Sequence, residues 1–135
     1  MIDYIIHPEL ELILIWNRGI TSTAKVIDLI HHLHRDPLFS SDFDSACDVS
    51  NLETDFTRQE ILQMAHFSES FPKGRKITKN AIIAPSDRTF GNSRMFELLT
   101  NGFTPITTGV FRDWDSALTW LGKDPSAILN VLKAS

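Results

Sequence analysis

The polar residues best placed for chemistry are Ser86, Asp87 and Arg88, which follow closely after the apolar run 81–84. Open α/β sheets bind ligands at the carboxyl ends of their strands, where this cluster is predicted to lie. Arg88 and Arg94 could hold an anion there. The alternative is an ordinary helix cap followed by solvated arginines. The residue types leave both interpretations open, an anion-binding site and a purely structural cap.

Three histidines crowd one predicted helix, at His31, His32 and His34. The spacing of His31 and His34 would allow both to reach one metal ion. Metal sites normally recruit a third ligand with its own support, and the spacing of the sequence indicates none. Positively charged histidines are favoured near the C-terminal end of a helix. We therefore predict a solvated or helix-terminal role for these side chains and no metal site.

Asp48 and Thr57 stand on either side of the connection to a second predicted helix. Asp48 lies near the carboxyl end of a predicted strand over residues 45–50. Thr57 and Glu60 form the Thr-x-x-Glu pattern of a capping box. From the residues alone, Asp48 is predicted to accept hydrogen bonds in a loop or cap, and Thr57 to be a helix N-cap. Neither residue belongs to a recognisable Ser-His-Asp or Cys-His set, so we predict no enzyme and no cofactor.

Hydrophobic patterning predicts strands and helices in alternation around these residues. Two alternating segments, Ile2 to His7 and Leu10 to Asn17, predict an N-terminal antiparallel hairpin. Further strands are predicted at 45–50, 80–84 and 106–111, and helices at 23–36, 57–71, 87–101, 113–122 and 124–135. Alternation of this kind implies right-handed crossovers and parallel strands. The predicted fold is therefore α/β, a single domain in which the hairpin leads into a mostly parallel five-stranded sheet with about four to five helices.

The apolar run 81–84 is predicted to form the innermost strand, because a parallel strand covered on both faces reads as continuously apolar. Ile82 and Ile83 should then be buried on opposite faces. In the following helix, the pattern predicts that Met95, Leu98 and Leu99 face inward. Residues 124–135 are predicted to be a helical extension whose apolar side carries three residues, Ile128, Leu129 and Leu132.

Composition bounds the class of protein. A chain of 135 residues with 42% hydrophobic and 22% charged content is expected to form one globular domain. A net charge of −4 argues against binding to nucleic acid or to anionic membranes, and the basic residues are scattered apart from the segment 73–79. The longest apolar run, residues 12–16, is far shorter than the roughly 20 residues of a spanning helix. We predict a cytoplasmic protein without integral membrane association, in which the lone Cys47 is a small buried hydrophobe.

Several segments of the chain resemble the SpoIIAA-like family. They are Arg18-Gly19, Ala46-Cys47-Asp48-Val49, Asn80-Ala81-Ile82-Ile83-Ala84 and the closing pattern of Phe111, Asp113, Ala117, Trp120 and Leu121. That family comprises small bacterial proteins related in fold to STAS domains and to lipid-binding domains of the Sec14 (CRAL-TRIO) type. The resemblance extends to about residue 122. It implies this fold and a bacterial cytoplasmic setting, and it implies no agreed activity.

The resemblance also implies roles for Asp48 and Thr57. STAS antagonists of anti-sigma factors are switched by phosphorylation of a Ser at the start of the helix after the third strand, beside an Asp that ends that strand. Asp48 matches the acid, and Thr57 stands about where the phosphoacceptor would. A phosphate there would meet helix N–H groups and the positive end of the helix dipole. The Asp-Ser-Ser-Gly-Leu signature is replaced by residues 55–59, Asp-Phe-Thr-Arg-Gln, which favours the N-cap interpretation.

Two functional hypotheses follow. The favoured one is a non-catalytic regulatory or protein-interaction module, forming a homodimer through its outer strands or the apolar side of the last helix. The alternative, by analogy with the Sec14 relatives, is a domain that binds a small apolar or amphipathic ligand. That alternative requires a cavity lined by aromatic residues such as Phe90, Phe96, Phe103, Trp114 and Trp120.

Overall fold

A five-stranded sheet with helices on both faces forms the protein, in a computed structural model that describes the backbone of residues 2–134 and the side chains of residues 2–130. The strands are β1 (Ile2–His7), β2 (Leu12–Asn17), β3 (Asp44–Asp48), β4 (Thr78–Ile83) and β5 (Ile106–Phe111). The helices are α1 (Thr23–Arg35), α2 (Arg58–Ser68), α3 (Asp87–Thr100), α4 (Trp114–Trp120) and α5 (Pro125–Ala134), with a 3-10 turn at Pro8–Leu10. The predicted α/β class is confirmed.

The strands lie in the sheet in the order in which they occur in the chain, from β1 to β5. β1 pairs with β2 in antiparallel fashion, and β2 to β5 are parallel, as the hairpin and the alternation predicted. The prediction that residues 80–84 form the innermost strand is wrong in position, because β3 is the middle strand. β4 is nevertheless internal, and Ile82 and Ile83 are both buried. Burial on two faces is shared by every internal strand, so it cannot identify the central one.

The strand order explains why three helices share one face. Each parallel connection steps to the next strand in the same direction, and right-handed crossovers then place α1, α2 and α3 on one side of the sheet. We call this side the α1–α3 face. The helices that follow β5 cover the opposite side, which we call the α4–α5 face.

The α4–α5 face is closely packed. Leu12, Leu14 and Ile83 of the sheet and Leu118 of α4 are at most 1% exposed there. Ile128 of α5 is buried in the same cluster. The expectation that Ile128 belongs to a partner-binding surface is therefore wrong, and the side chain of Leu132 lies outside the described residues.

Four helices begin with a side-chain cap at the carboxyl end of the parallel strands. Ser22, Thr57, Ser86 and Asp113 each accept a hydrogen bond from the backbone N–H three residues further on. At Thr57 the reciprocal bond from its own N–H to the Glu60 side chain completes the predicted capping box. These caps satisfy backbone donors that the first helical turn would otherwise leave without partners.

The inner side of α3 differs from the prediction. Leu98 is 69% exposed, whereas Thr89, Ser93 and Thr100 are buried. Together with Phe96, these residues recur at helical spacing and face the sheet. The hydrophobic pattern predicted the wrong inner face because three of the inner positions carry short polar side chains. Those short side chains leave space beneath the helix.

Candidate ligand-binding cavity

A cavity of about 230 Å³ lies between the α1–α3 face of the sheet and the helices that cover it. Ile13 and Ile15 of β2, Cys47 of β3 and Ile82 of β4 form its floor. An apolar cavity of about 150 Å³ is already large enough to take up benzene. The space here is therefore sufficient for a small organic ligand.

Short side chains and the position of α2 create the cavity. The principal backbone neighbours of α2 are α1 and α3 rather than a strand. Ile61 and Met64 point from α2 toward the cavity. Beneath them, Cys47 in the floor and Ser93 in α3 are too short to fill the gap. The helix thus bridges its two neighbours above a space that its own side chains close only in part.

Aromatic rings close the cavity between α1 and α2. The His34 ring packs against Phe39 and Phe71, with ring centres 4.9 Å apart in both pairs. His31 packs edge-on against Phe67 at 5.1 Å. Across the described residues, no group of three or more His, Cys, Asp or Glu side chains comes together as a metal site would require. The expectation of a solvated or helix-terminal role misses the ring contacts of His34, which is half-buried and lines the cavity.

The cavity wall is uncharged. None of the described lining residues is an Asp, Glu, Lys or Arg. Burial, and then the nearby charge of His31, lower the pKa of His34. Burial, and then the Asp48 carboxylate, raise the pKa of the Cys47 thiol to about 12. Both titratable lining groups are therefore neutral at pH 7, and an ionised ligand group would find no counter-charge in the wall.

One buried polar atom in the wall has no hydrogen-bond partner among the described residues. Asn17, at the carboxyl end of β2, is only 8% exposed, and its buried Oδ1 accepts no hydrogen bond from any described residue. Thr54 and Ser68, which also line the cavity, bond to the backbone at Thr21 and Ala65. A buried acceptor without a partner costs about 1–3 kcal/mol. A ligand group that bonds to the Asn17 carboxamide would recover part of that free energy.

The cavity is elongated along the strands. Asn17 lies at the carboxyl end of the sheet, whereas Ile106 is the first residue of β5 at the opposite end. A six-residue strand spans roughly 20 Å. At the amino end, residues 39–41 before β3, residues 71, 72 and 74 before β4, and residues 105–106 at the start of β5 surround the cavity, and we call this region the mouth. Pro72 and Gly74 are exposed, so the cavity reaches solvent there.

Most of the aromatic residues predicted to line a cavity lie elsewhere. Phe96 lines it, as predicted. Phe90 lies beneath the Arg112 guanidinium, whose central carbon is 4.0 Å from the ring centre, and Phe103 is 69% exposed. Trp114 and Trp120 pack on the α4–α5 face. The lining consists mainly of aliphatic residues and of Phe39, Phe43, Phe56, Phe67 and Phe71.

The structure engages each of the predicted anion-binding residues in structural contacts. Ser86 caps α3, and Asp87 pairs with Arg112 at 2.9 Å. Arg88 donates hydrogen bonds to the backbone carbonyls of Leu52 and Glu53, while Arg94 pairs with Glu97. Because the parallel strands follow one another without reversal, the sheet has no switch point at which a ligand crevice would open. The cluster joins loops, and Arg94 does not share a site with Arg88.

Asp48 and Thr57 are likewise held by local hydrogen bonds. Asp48 accepts from the Ser50 N–H at 2.7 Å and from Trp114 Nε1 at 2.8 Å, which directs its carboxylate toward α4. Thr57 Oγ1 accepts from the Glu60 N–H at 3.2 Å on the other side of the sheet. A phosphate on Thr57 would stand beside the Glu60 carboxylate and break the capping box. Phosphorylation of Thr57 stays a prediction of the family resemblance.

Comparison of the chain with protein-family models, with curated proteins and with solved structures finds no match. The resemblance to the SpoIIAA-like family therefore stays a hypothesis based on the residues that suggested it. Among the helices that the structure describes, none combines the length and the apolar character needed to cross a bilayer.

Proposed function

We propose that the protein binds a neutral, elongated apolar molecule that carries one hydrogen-bonding group, such as a long-chain alcohol or amide. The observation that carries this proposal is the uncharged cavity on the α1–α3 face with the unpartnered carboxamide oxygen of Asn17 at one end. An ionised carboxylate or phosphate would lose its hydration without gaining a counter-charge. A neutral chain would meet aliphatic and aromatic walls along its length.

The size of the ligand follows from the free energy that burial supplies. Each buried methylene contributes about 0.8 kcal/mol. Micromolar affinity requires about 8 kcal/mol, which corresponds to roughly ten methylenes before the entropic cost of association is subtracted. A chain of about this length suits a cavity that follows strands spanning roughly 20 Å. The hydroxyl or amide group would then lie near Asn17, with the chain directed toward the mouth.

Thermal unfolding in the presence of n-alcohols of increasing length tests this proposal. We expect the midpoint of unfolding to rise with chain length, because a ligand that binds only the folded state stabilises it. The matched fatty-acid anions at neutral pH should produce a much smaller rise. Asn17→Leu should reduce the difference between an alcohol and the alkane of equal length. Absence of any rise, together with native mass spectra free of co-purified molecules, would overturn the proposal.

A second candidate is the non-catalytic regulatory or interaction module, acting in the bacterial cytoplasm as a homodimer. The observation that favours it is a pair of exposed leucines, Leu62 of α2 and Leu98 of α3, on two helices that pack together. The sheet also ends in two outer strands, β1 and β5, each of which pairs on one side only. Sedimentation equilibrium should show a dimer that Leu62→Ser with Leu98→Ser dissociates. A monomer at every accessible concentration would exclude self-association.

A further inference from the structure

An open groove lies beside the cavity mouth, between the loop that precedes β4 and the loop that precedes β5. Gly74 and Pro105 line both the groove and the cavity, so the two are continuous. The groove also contains three basic side chains and two large apolar ones. The basic residues are Lys73, Arg75 and Lys76, and the apolar residues are Ile77 and Phe103.

The groove concentrates positive charge in an otherwise acidic protein. Three basic residues occur within four positions, and each is exposed, with no ion pair to a described residue. Among the described residues that line the groove, Glu69 is the one acid, and it pairs with His66 at 3.1 Å. Asp42 also faces this loop, where it accepts a hydrogen bond from the backbone N–H of Arg75. The net charge of −4 is therefore a property of the whole chain and not of this surface.

Large apolar side chains project at the same end of the molecule. Ile77 is 76% exposed and Phe103 is 69% exposed, and both lie in the groove. Leu38 is also exposed, in the loop that precedes β3. These loops meet at one edge because the strands that follow them are parallel. Basic residues beside exposed Ile and Phe side chains are the combination that binds the interface of an anionic membrane.

We propose that the mouth of the cavity docks onto the surface of an anionic lipid membrane. Lys73, Arg75 and Lys76 contact the lipid headgroups, and Ile77 and Phe103 insert at the boundary with the acyl chains. This orientation turns the cavity opening toward the bilayer, from which an apolar ligand enters without crossing water. A nucleic acid would use the positive charges and would gain nothing comparable from the two apolar side chains.

Co-sedimentation of the full chain with lipid vesicles tests the proposal, whether or not the cavity is occupied. One set contains phosphatidylcholine alone and the other contains equal parts of phosphatidylcholine and phosphatidylserine. We expect binding to the anionic vesicles only, weakened by salt. Lys73→Gln with Arg75→Gln should lower the partition coefficient about 30-fold, since each basic residue at such a surface contributes about fivefold. The matched control, Lys25→Gln with Arg58→Gln, removes the same charge types from the opposite end of the sheet.

A second pair of variants separates membrane insertion from the binding of any polyanion. Ile77→Ser should weaken vesicle binding several-fold, whereas Ile20→Ser, at a position of nearly equal exposure (77% against 76%) at the other end, should leave it unchanged. All six substitutions concern exposed side chains, and circular dichroism should show that each of the four variants is folded. No binding to anionic vesicles, equal effects of test and control variants, or RNA binding that Ile77→Ser does not alter would each overturn the proposal. The thermal shifts with alcohols use no vesicles, so the two proposals fail separately.

Discussion

Neighbouring residues of the same strands lie on opposite faces of the sheet, one of which is closely packed while the other borders a cavity. On the α4–α5 face, Ala46 and Ala81 are fully buried beneath α4 and its neighbours. On the α1–α3 face, the adjacent Cys47 and Ile82 form the floor of a cavity. Small strand residues allow a helix to approach the sheet closely, and α4 does so. The protein thus packs one face closely and leaves space on the other.

This contrast indicates how stability and binding are divided. The buried cluster beneath α4 and α5 supplies closely packed apolar contacts, while the cavity face lacks some of the contacts that a filled core would make. A hydrogen bond from Trp114 Nε1 to Asp48 fixes α4 against the middle strand. Substitutions on the two faces should therefore affect stability and ligand binding to different degrees.

The largest expected effect on the free energy of unfolding comes from substituting the two adjacent isoleucines of β4. Ile83→Ala, on the packed face, should lower the free energy of unfolding by about 4 kcal/mol, because it leaves a cavity in a filled core. Ile82→Ala, on the cavity face, should lower it by only about 2 kcal/mol, since Ile82 already borders a space. Urea titrations of both variants measure the difference. Equal losses would show that the two faces are packed alike.

Larger side chains in β3 should destabilise the protein on the packed face but should be tolerated on the cavity face. Ala46→Leu should destabilise the protein by about 1–3 kcal/mol, because its position is fully enclosed. Cys47→Leu, one residue further, extends into the cavity and should change the free energy of unfolding by less than about 1 kcal/mol.

The same two variants should also differ in their binding of long-chain alcohols. Cys47→Leu should abolish the rise in melting temperature caused by long-chain alcohols, since its side chain occupies the ligand space. Ala46→Leu should retain the rise, measured from its own lower midpoint. A Cys47→Leu variant that still responds to alcohols would place the ligand elsewhere.

The sequence predicts the architecture well because buried positions recur with the period of the strand or helix that contains them. Alternation in β1 and β2 predicted the hairpin, and the apolar run of β4 predicted an internal strand. The hydrophobic pattern does not predict strand order, so β4 was placed at the centre of the sheet, which β3 occupies. Caps are local interactions, and Thr57 with Glu60 could be identified directly.

The candidate site could not be read from the sequence in the same way. A cavity arises from volumes that are missing between elements far apart in the chain, as between Cys47 and Ser93. Aromatic content misled the prediction, since Trp114 and Trp120 fill the opposite face and Phe103 is exposed. Two signals were nevertheless present. Thr89 and Ser93, short polar residues at helical spacing in α3, border the cavity, and the basic segment before β4 lies in the groove beside its mouth.

The smallest expected effect is a dependence of stability on pH that originates on the cavity face. Burial and the charge of His31 lower the pKa of His34 in the folded protein below its usual value near 6.5. As the pH falls through that value, the unfolded chain takes up the proton before the folded protein does. The free energy of unfolding therefore decreases on acidification, and the decrease is complete below the folded-state pKa. Urea titrations at pH 7.5 and 5.5 measure it.

Variants on both faces assign this pH dependence to its source. His34→Phe keeps a ring against Phe39 and Phe71 but cannot bind a proton, so it should flatten the change between the two pH values. His32→Gln, at an exposed position, should leave the change as it is in the unaltered protein. Ile83→Ala should lower stability equally at both pH values, because effects at sites that do not contact each other add. If His34→Phe retained the full change, a group outside the cavity would be the source of the pH dependence. Asp36 could not be that source, because its pKa is lowered from an ordinary value that already lies below pH 5.5.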